Sequence, residues 1–280
     1  MFADLVKIKE WFDGYVRSFD LAVPMIRMKY EHSYDVMGIG ETLTRALAWA
    51  PDNTAVGTAA CLLHDTGRFS QYRDFGTYYD GASVDHGNRG YETLLGKFCE
   101  NPGKGGLAGD CLDEEAQKVI LQSVKWHNKK SLPELPSGLS SDALPFCRLV
   151  RDADKLDVFS LVRRRMDEGT VGTLLPRHKV DAPLSEPLLD EVEASWSGSY
   201  KNASSLQDFL LIQLTWVLDL NFAPSLQMLE ESGVLARIRG HFPKDDPRVQ
   251  NLLEHLFVRI EEHKQKIARG FNSIGEESLQ

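Results

Sequence analysis

The sequence lacks several features that mark common protein classes. Its four cysteines are scattered and form no C-x-x-C pair, so we read them as reduced thiols. A Ser-His-Asp motif and a Gly-rich phosphate loop are also missing, which leaves nucleophilic acyl transfer and P-loop chemistry without support.

Positive charge is in deficit. Lysine and arginine number 32 against 41 acidic residues, the net charge is −9 and the pI is near 5.4. Binding to nucleic acid or acidic lipid needs a basic face that releases counterions. We therefore expect no extended nucleic-acid binding, and an anionic substrate must be held by local charge.

Long apolar runs are absent as well. No stretch approaches the roughly 18 to 20 apolar residues of a membrane span. The opening MFADLVKIKEWFDGYV mixes charge with aromatics and lacks the pattern of a secretory signal. We expect no membrane association and a cytoplasmic location.

Strand signals are nearly absent, and helical periodicity dominates, which predicts an all-α fold. The chain turns irregular from about 168 to 203, so we expect one unit over 1–167 and a second over 168–280. Helices are predicted over residues 3–19, 33–50, 53–64, 86–99, 113–127 and 142–166, and then, after a short helical piece, over 205–220, 225–238 and 246–270.

Two histidines fall on apolar helix faces. His32 shares its face with Val36, and His127 continues the stripe that contains Ile120 and Val124. Burying an ionisable group is unfavourable unless something compensates it. Both imidazoles are therefore predicted to point into the core toward a partner.

An adjacent His-Asp pair ends the most apolar helix. Residues 53–64 are apolar almost all round, which marks a central helix, and His64 and Asp65 emerge at its C-terminal end. The helix dipole disfavours a carboxylate at that end, and a bound cation would reverse the penalty.

The helix predicted over 142–166 separates its acidic residues. At 100° per residue, Asp154 and Asp157 land in the apolar arc, whereas Arg151 and Asp152 fall on the opposite arc. We therefore expect Asp154 and Asp157 to face inward and Arg151 and Asp152 to face solvent.

One inward histidine is usually satisfied by a backbone carbonyl. Several inward histidines and aspartates in one helical unit indicate that they converge on one or two divalent ions. The ordered set resembles the HD-domain metal-dependent phosphohydrolase superfamily over about residues 25–165. The run HDTGRFSQYRDFGT…DHG is similar to a poorly characterised bacterial branch with an HDxGRF motif.

This resemblance implies an all-α helical bundle in residues 1–167, with an irregular connector and additional C-terminal helices in 168–280 that pack on it. It also implies a binuclear centre in which one carboxylate bridges two ions. The implied ligands are His32, His64, Asp65 and Asp154 for the first ion, and Asp65, His86 and His127 for the second.

The role of His86 as a ligand has an alternative, because Asp85-His86 also fits an N-terminal helix cap followed by a surface histidine. Manganese, iron, cobalt, nickel, magnesium and zinc all suit His/Asp sites of this kind, so the sequence leaves one or two divalent ions of unspecified identity.

Further residues are candidates for contacts to the substrate. Arg68, one turn after His64, is the candidate to act with Asp65 in catalysis by stabilising charge on a phosphoryl group, and a surface pair with Asp74 is its alternative. Lys129, Lys130 and Asp157 are weaker candidates for substrate binding; Asp157 also suits a role as hydrogen-bond acceptor for a ligand.

The resemblance favours a metal-dependent phosphohydrolase that acts on a small phosphate ester or nucleotide. Two alternatives stay open: a binuclear-iron oxygenase on the same ligands, and a non-catalytic metal-containing sensor or interaction protein. A homodimer through the C-terminal amphipathic helix is a further expectation.

Overall fold

The computed structural model describes residues 1–97, 107, 111–130, 132, 138–174 and 182–277, with side chains up to residue 269. These residues contain no strand, only an isolated bridge between Ala3 and Leu112. The prediction of an all-α fold is confirmed. The α-helices are α1 (Leu5–Val16), α2 (Pro24–Ala46), α3 (Pro51–Leu63), α4 (Thr66–Phe75), α5 (His86–Leu94), α6 (Glu114–Trp126), α7 (Leu144–Asp167), α8 (Glu186–Ser195), α9 (Leu206–Trp216), α10 (Ala223–Ser232), α11 (Val234–Gly240) and α12 (Pro247–Glu277).

The chain divides into two compact units, Met1–Asp157 and Val158–Gln280. The division falls inside α7, and the boundary expected between residues 167 and 168 stays a prediction. Among the described residues, no helix combines the length and the apolar character that crossing a bilayer requires.

Helix α3 is the centre of the first unit. Every residue from Val56 to Leu63 is buried, and α1, α2 and α6 pack against this helix. The sequence predicted this position, because a helix that is apolar all round has no face to present to water. The last turn of α3 therefore delivers the residues that follow it to the interior.

Two helices of the first unit differ from the prediction. Helix α2 begins at Pro24 rather than near residue 33, with the proline in the first turn, where its missing N–H is harmless. Helix α4, directly after Asp65, is not among the predicted helices. Its little apolar periodicity and early glycine hid it, although α4 packs closely on α5.

Helix α7 corrects the assignment of Arg151 and Asp152 to a solvent face. Arg151 is 2% exposed and Asp152 is 0% exposed. The Arg151 guanidinium donates to the carbonyl oxygens of His127 (2.7 Å) and Lys129 (2.6 Å) just beyond α6. A helical wheel assigns polar side chains to the solvent face. It cannot detect a polar side chain that is buried because it donates to backbone carbonyl oxygens.

The second unit contains α8 to α12. Ser205 and Asp208 form a capping box at the start of α9. The helix predicted over 225–238 is two helices, because Gly233 adopts a left-handed conformation with φ of 65° and ends α10. The apolar stripe of α12 that suggested a homodimer is buried within the chain, and a homodimer stays a prediction.

Cys61, Cys111 and Cys147 are buried, and Cys61 is a free thiol. Cys99 lies outside the described residues.

Candidate metal centre

The ends of the central helices bring six predicted side chains together. His32 comes from the middle of α2, and the other five lie at or near helix termini or along α7. All four histidines and Asp65 are at most 8% exposed, whereas the Asp154 side chain is 32% exposed. The six are His32, His64, Asp65, His86, His127 and Asp154.

One group forms around His32 and His64. Their Nε2 atoms are 3.2 Å apart, and Oδ1 of Asp154 lies 3.2 Å from the first and 3.8 Å from the second. Oδ2 of Asp65 is 3.5 Å from both Nε2 atoms. The ligand atoms of His32, His64 and Asp154 are close enough together to hold a metal ion.

A second group forms on the other oxygen of Asp65. Oδ1 is 3.5 Å from Nε2 of His86 and 3.7 Å from Nε2 of His127, and these two nitrogens are 3.1 Å apart. His64, Asp65 and His127 also satisfy the distances for a shared ion. The Asp65 carboxylate therefore lies between the two groups, with one oxygen facing each.

Each of the four imidazoles is oriented through its Nδ1 atom. His64 and His127 donate from Nδ1 to the carbonyl oxygens of Cys61 and Val124, both at 2.7 Å. Carbonyl oxygens only accept, so these Nδ1 atoms carry the proton. The Nε2 atoms of both rings are left with a lone pair directed at the centre.

Carboxylates accept the Nδ1 hydrogen bonds of the other two imidazoles, those of His32 and His86. Nδ1 of His32 donates to Asp157 (2.7 Å), and Nδ1 of His86 donates to Asp80 (2.6 Å). A ligating histidine characteristically makes such a bond, which sets the tautomer and raises the basicity of the metal-binding nitrogen. Asp157 therefore contacts a candidate ligand, the alternative role that the sequence left open for it.

This donor set fits a cation. With the proton on Nδ1, the lone pairs of His32 and His64 face each other at 3.2 Å, and those of His86 and His127 at 3.1 Å. Two such approaches are repulsive unless a proton or a metal ion lies between the nitrogens. Imidazole and carboxylate ligands suit first-row divalent ions.

The pKa values reflect this crowding. Burial lowers the pKa of His64 to about 3 and that of His86 to about 4, which favours neutral imidazoles. Burial and Lys29 also lower the pKa of His32. Hydrogen bonds to Asp154 and Asp157 outweigh both effects and raise this pKa to about 9. Without a metal, His32 therefore carries the proton of the first group.

The carboxylates stay ionised. Burial by itself raises the pKa of Asp65, but Lys29 and His64 hold that pKa well below the ordinary value. For Asp154, burial is likewise outweighed, first by the hydrogen bond from His32. Both carboxylates are thus available as charged ligands at neutral pH.

Gly67, in the HDTGR run, lets α4 and α5 approach each other. A Cβ at this position would overlap the His86 carbonyl oxygen and the backbone nitrogen of Gly90. The glycine therefore allows the first turn of α5, which carries His86, to lie against the first turn of α4, which follows Asp65.

Of the alternative role for Asp85-His86, the structure contains the helix cap but not the surface histidine. Asp85 caps α5 by accepting from the Asn88 N–H at 2.9 Å. His86, however, is only 6% exposed, so it is not a surface residue. The acid that orients it is Asp80, which sequence reasoning missed because the three-residue 3-10 helix Asp80–Ala82 is too short to give a periodic signal.

The predicted cations differ in their surroundings. Arg68 does not pair with Asp74; its Nη1 donates to Asp80 (2.8 Å), and its buried Nε, which makes no hydrogen bond, lies 3.5 Å from Oδ1 of Asp65. Lys129 pairs with Asp85, and Lys130 is exposed. Arg68 thus lies next to Asp65, one of the six clustered residues.

A further cation, Lys29, was not predicted. Its Nζ lies 2.6 Å from Oδ2 of Asp65. The signal was available, because Lys29 precedes His32 by one helical turn and therefore shares its face.

Comparison with known families assigns this region. Residues 30–159 match the HD domain family, and all six clustered residues lie within the match. This part of the chain is an HD domain. Comparisons with curated proteins and with solved structures gave no significant match.

The HD superfamily consists mostly of metal-dependent phosphohydrolases, and this HD domain holds His/Asp groups able to bind a metal ion. The narrower HDxGRF branch remains a resemblance. Asp154 is the most exposed of the six clustered side chains.

Proposed function

We propose that this chain is a metal-dependent phosphohydrolase that acts on a small phosphate ester or nucleotide. The observation that carries the proposal is the pair of imidazole groups on opposite oxygens of Asp65, each with its Nε2 lone pairs directed inward. This arrangement supports two ions bridged by one carboxylate.

In this proposal, one divalent ion would be held by His32, His64, Asp65 and Asp154, and the other by Asp65, His86 and His127. When bound, such ions polarise a phosphoryl oxygen and lower the pKa of water to about 7, so that hydroxide is available at neutral pH.

The protein's own side chains orient the metal ligands and position the substrate. Asp157 and Asp80 hold two imidazoles in the ligating tautomer, and the ionised carboxylates balance charge. Arg68 is fixed by Asp80, which leaves its Nε facing Asp65, where an N–H donor can stabilise charge on a phosphoryl oxygen. Lys129 and Lys130 are proposed to attract the anion from outside.

The overall negative charge supports a small phosphorylated substrate rather than extended nucleic acid. The buried free thiol of Cys61 supports a cytoplasmic location.

The test combines elemental analysis of the purified protein with a panel of phosphomonoesters and phosphodiesters. We expect divalent metal and phosphate release in the parent protein, and loss of both in His64→Ala and Asp65→Ala. His255→Ala, an exposed histidine on α12, is the matched control and should retain both. Metal and turnover that persist in the first two variants would overturn the enzyme assignment.

The same preparation separates hydrolysis from oxygen chemistry. We expect phosphate release to be equal under anaerobic and aerobic conditions. Oxygen consumption by the iron-loaded protein without phosphate release would instead favour the oxygenase. Bound metal without turnover of any kind would favour the non-catalytic sensor.

A further inference from the structure

Lys29 shares an oxygen with the first group. Its Nζ is 2.6 Å from Oδ2 of Asp65, the oxygen that also lies 3.5 Å from Nε2 of His32 and of His64. The lysine side chain is 16% exposed and Asp65 is 3% exposed, so water screens the pair poorly. The ammonium therefore occupies the side of Asp65 that the first ion would use.

A buried carboxylate needs a counter-charge. Lys29 is the largest influence that lowers the pKa of Asp65 against burial. In the protein without metal, Lys29 thus performs the charge-neutralising task that a divalent ion performs once bound. Two cations close to one carboxylate oxygen repel each other, so the ion and the ammonium compete.

The Tyr78 ring adjoins both the Lys29 ammonium and the Arg68 guanidinium. Lys29 Nζ lies over the Tyr78 ring, 5.9 Å from its centroid, and the Arg68 guanidinium carbon lies 5.7 Å from the same centroid. The Tyr78 hydroxyl donates to the carbonyl oxygen of Met25 at 2.9 Å, which fixes the ring. Two cations therefore adjoin one anchored aromatic ring beside Asp65.

We propose that Lys29 is the counter-ion of Asp65 until a divalent ion binds, and that it then becomes a phosphate-binding group next to Arg68. This inference rests on the proposed function and adds a residue to it. It makes metal loading the event that creates part of the substrate site, since an ammonium paired with Asp65 has little attraction for an anion.

A purely structural role makes the opposite prediction. If Lys29 served to hold Asp65 in position for the metal, its removal would weaken metal binding, as the loss of orienting partners generally does by about 10- to 100-fold. The sign of the change in metal affinity therefore separates the two roles.

The experiment is a calorimetric titration of metal-free protein with Mn²⁺, followed by titration of the Mn²⁺-loaded protein with inorganic phosphate. We expect Lys29→Met to bind the first Mn²⁺ about tenfold more tightly than the parent, because the competing charge is gone. We expect its phosphate affinity to fall by about tenfold, because a charged donor is lost.

The controls test charge and location. Lys29→Arg keeps the charge and should change both affinities by less than Lys29→Met does. Lys118→Met removes an exposed lysine of α6 and should change neither affinity. If Lys29→Met does not fold without metal, Lys29→Gln replaces it, and the same directions of change are expected.

The contrary outcomes are distinct. Weaker Mn²⁺ binding by Lys29→Met, or phosphate affinity equal to that of the parent, overturns the role of Lys29 and leaves the proposed function standing. A parent protein that binds neither Mn²⁺ nor any other divalent ion overturns both.

Discussion

Nδ1 of His86 donates a 2.6 Å hydrogen bond to Oδ2 of Asp80. Oδ1 of the same carboxylate accepts from Arg68 and from Gln71, at 2.8 and 2.9 Å. Asp80 thus connects His86, a candidate ligand of the second ion, to Arg68, whose Nε lies 3.5 Å from Asp65. One carboxylate at the start of the short 3-10 helix Asp80–Ala82 therefore orients both His86 and Arg68.

Replacing Asp80 should therefore weaken the binding of the second ion more than that of the first. In Asp80→Ala, His86 loses the acceptor that orients it, and we expect about 10- to 100-fold weaker binding of one of two ions. Metal content after dialysis against graded chelator measures this. Asp74→Ala is the matched control, because Asp74 also pairs with arginines, Arg73 and Arg89, but contacts no candidate ligand. Equal metal loss in both variants would contradict the role of Asp80.

Metal affinity should rise with pH. The pKa of His32 is raised from 6.5 to about 9, so its protonated form stabilises the metal-free fold fully below pH 6.5, and that contribution disappears as the pH rises through 9. The metal needs neutral imidazole, so between these values the affinity should increase by up to about tenfold per pH unit. Calorimetry in buffers of different ionisation enthalpy reports the released proton.

Asp157→Asn tests the source of that dependence. The neutral amide stabilises protonated His32 less, so the slope between pH 7 and 9 should become shallower. An unchanged slope would show that another group carries the proton.

Removing the metal should lower thermal stability without unfolding the chain. An ion at a hundred times its Kd stabilises the folded state by about 2.7 kcal/mol, and a chelator removes that contribution. We expect a reversible fall in Tm on chelation, measured by calorimetry or circular dichroism. Asp65→Ala, which lacks the bridging ligand, should show little response to chelator; a full response there would argue for a metal bound elsewhere.

Gly67→Ala should damage the centre through the backbone. The added methyl group must push α5 away from α4, and we expect a loss of about 2–3 kcal/mol in unfolding free energy together with weaker binding of the second ion. Gly38→Ala is the control, since nothing lies within 4 Å of its added Cβ, and the exposed helical site should gain about 0.5–1 kcal/mol. Denaturant unfolding measures both; equal stability of the two variants would contradict the close approach.

The sequence predicted those parts of the site that depend on helical periodicity. His32 and His127 point inward because each continues an apolar stripe, and α3 is central because it has no polar face. Periodicity failed for Asp152 and Arg151, whose burial depends on polar partners rather than on neighbouring hydrophobic residues.

The contacts that orient the ligands were harder to predict. Asp80 reaches His86 from a three-residue 3-10 helix, and no spacing rule links the two. Lys29 was visible on the face of His32, yet a lysine next to a polar site is ordinarily taken as solvated. Such contacts arise from tertiary structure, which a single sequence does not report.

Anchoring every imidazole at Nδ1 has a final consequence. The rings are already aimed before any ion arrives, so exchange of one ion for another requires no refolding and little rearrangement of the helices. A site whose ligands are oriented in advance selects weakly among divalent ions. The ion that it binds then depends on which metals the cell supplies as much as on the polypeptide.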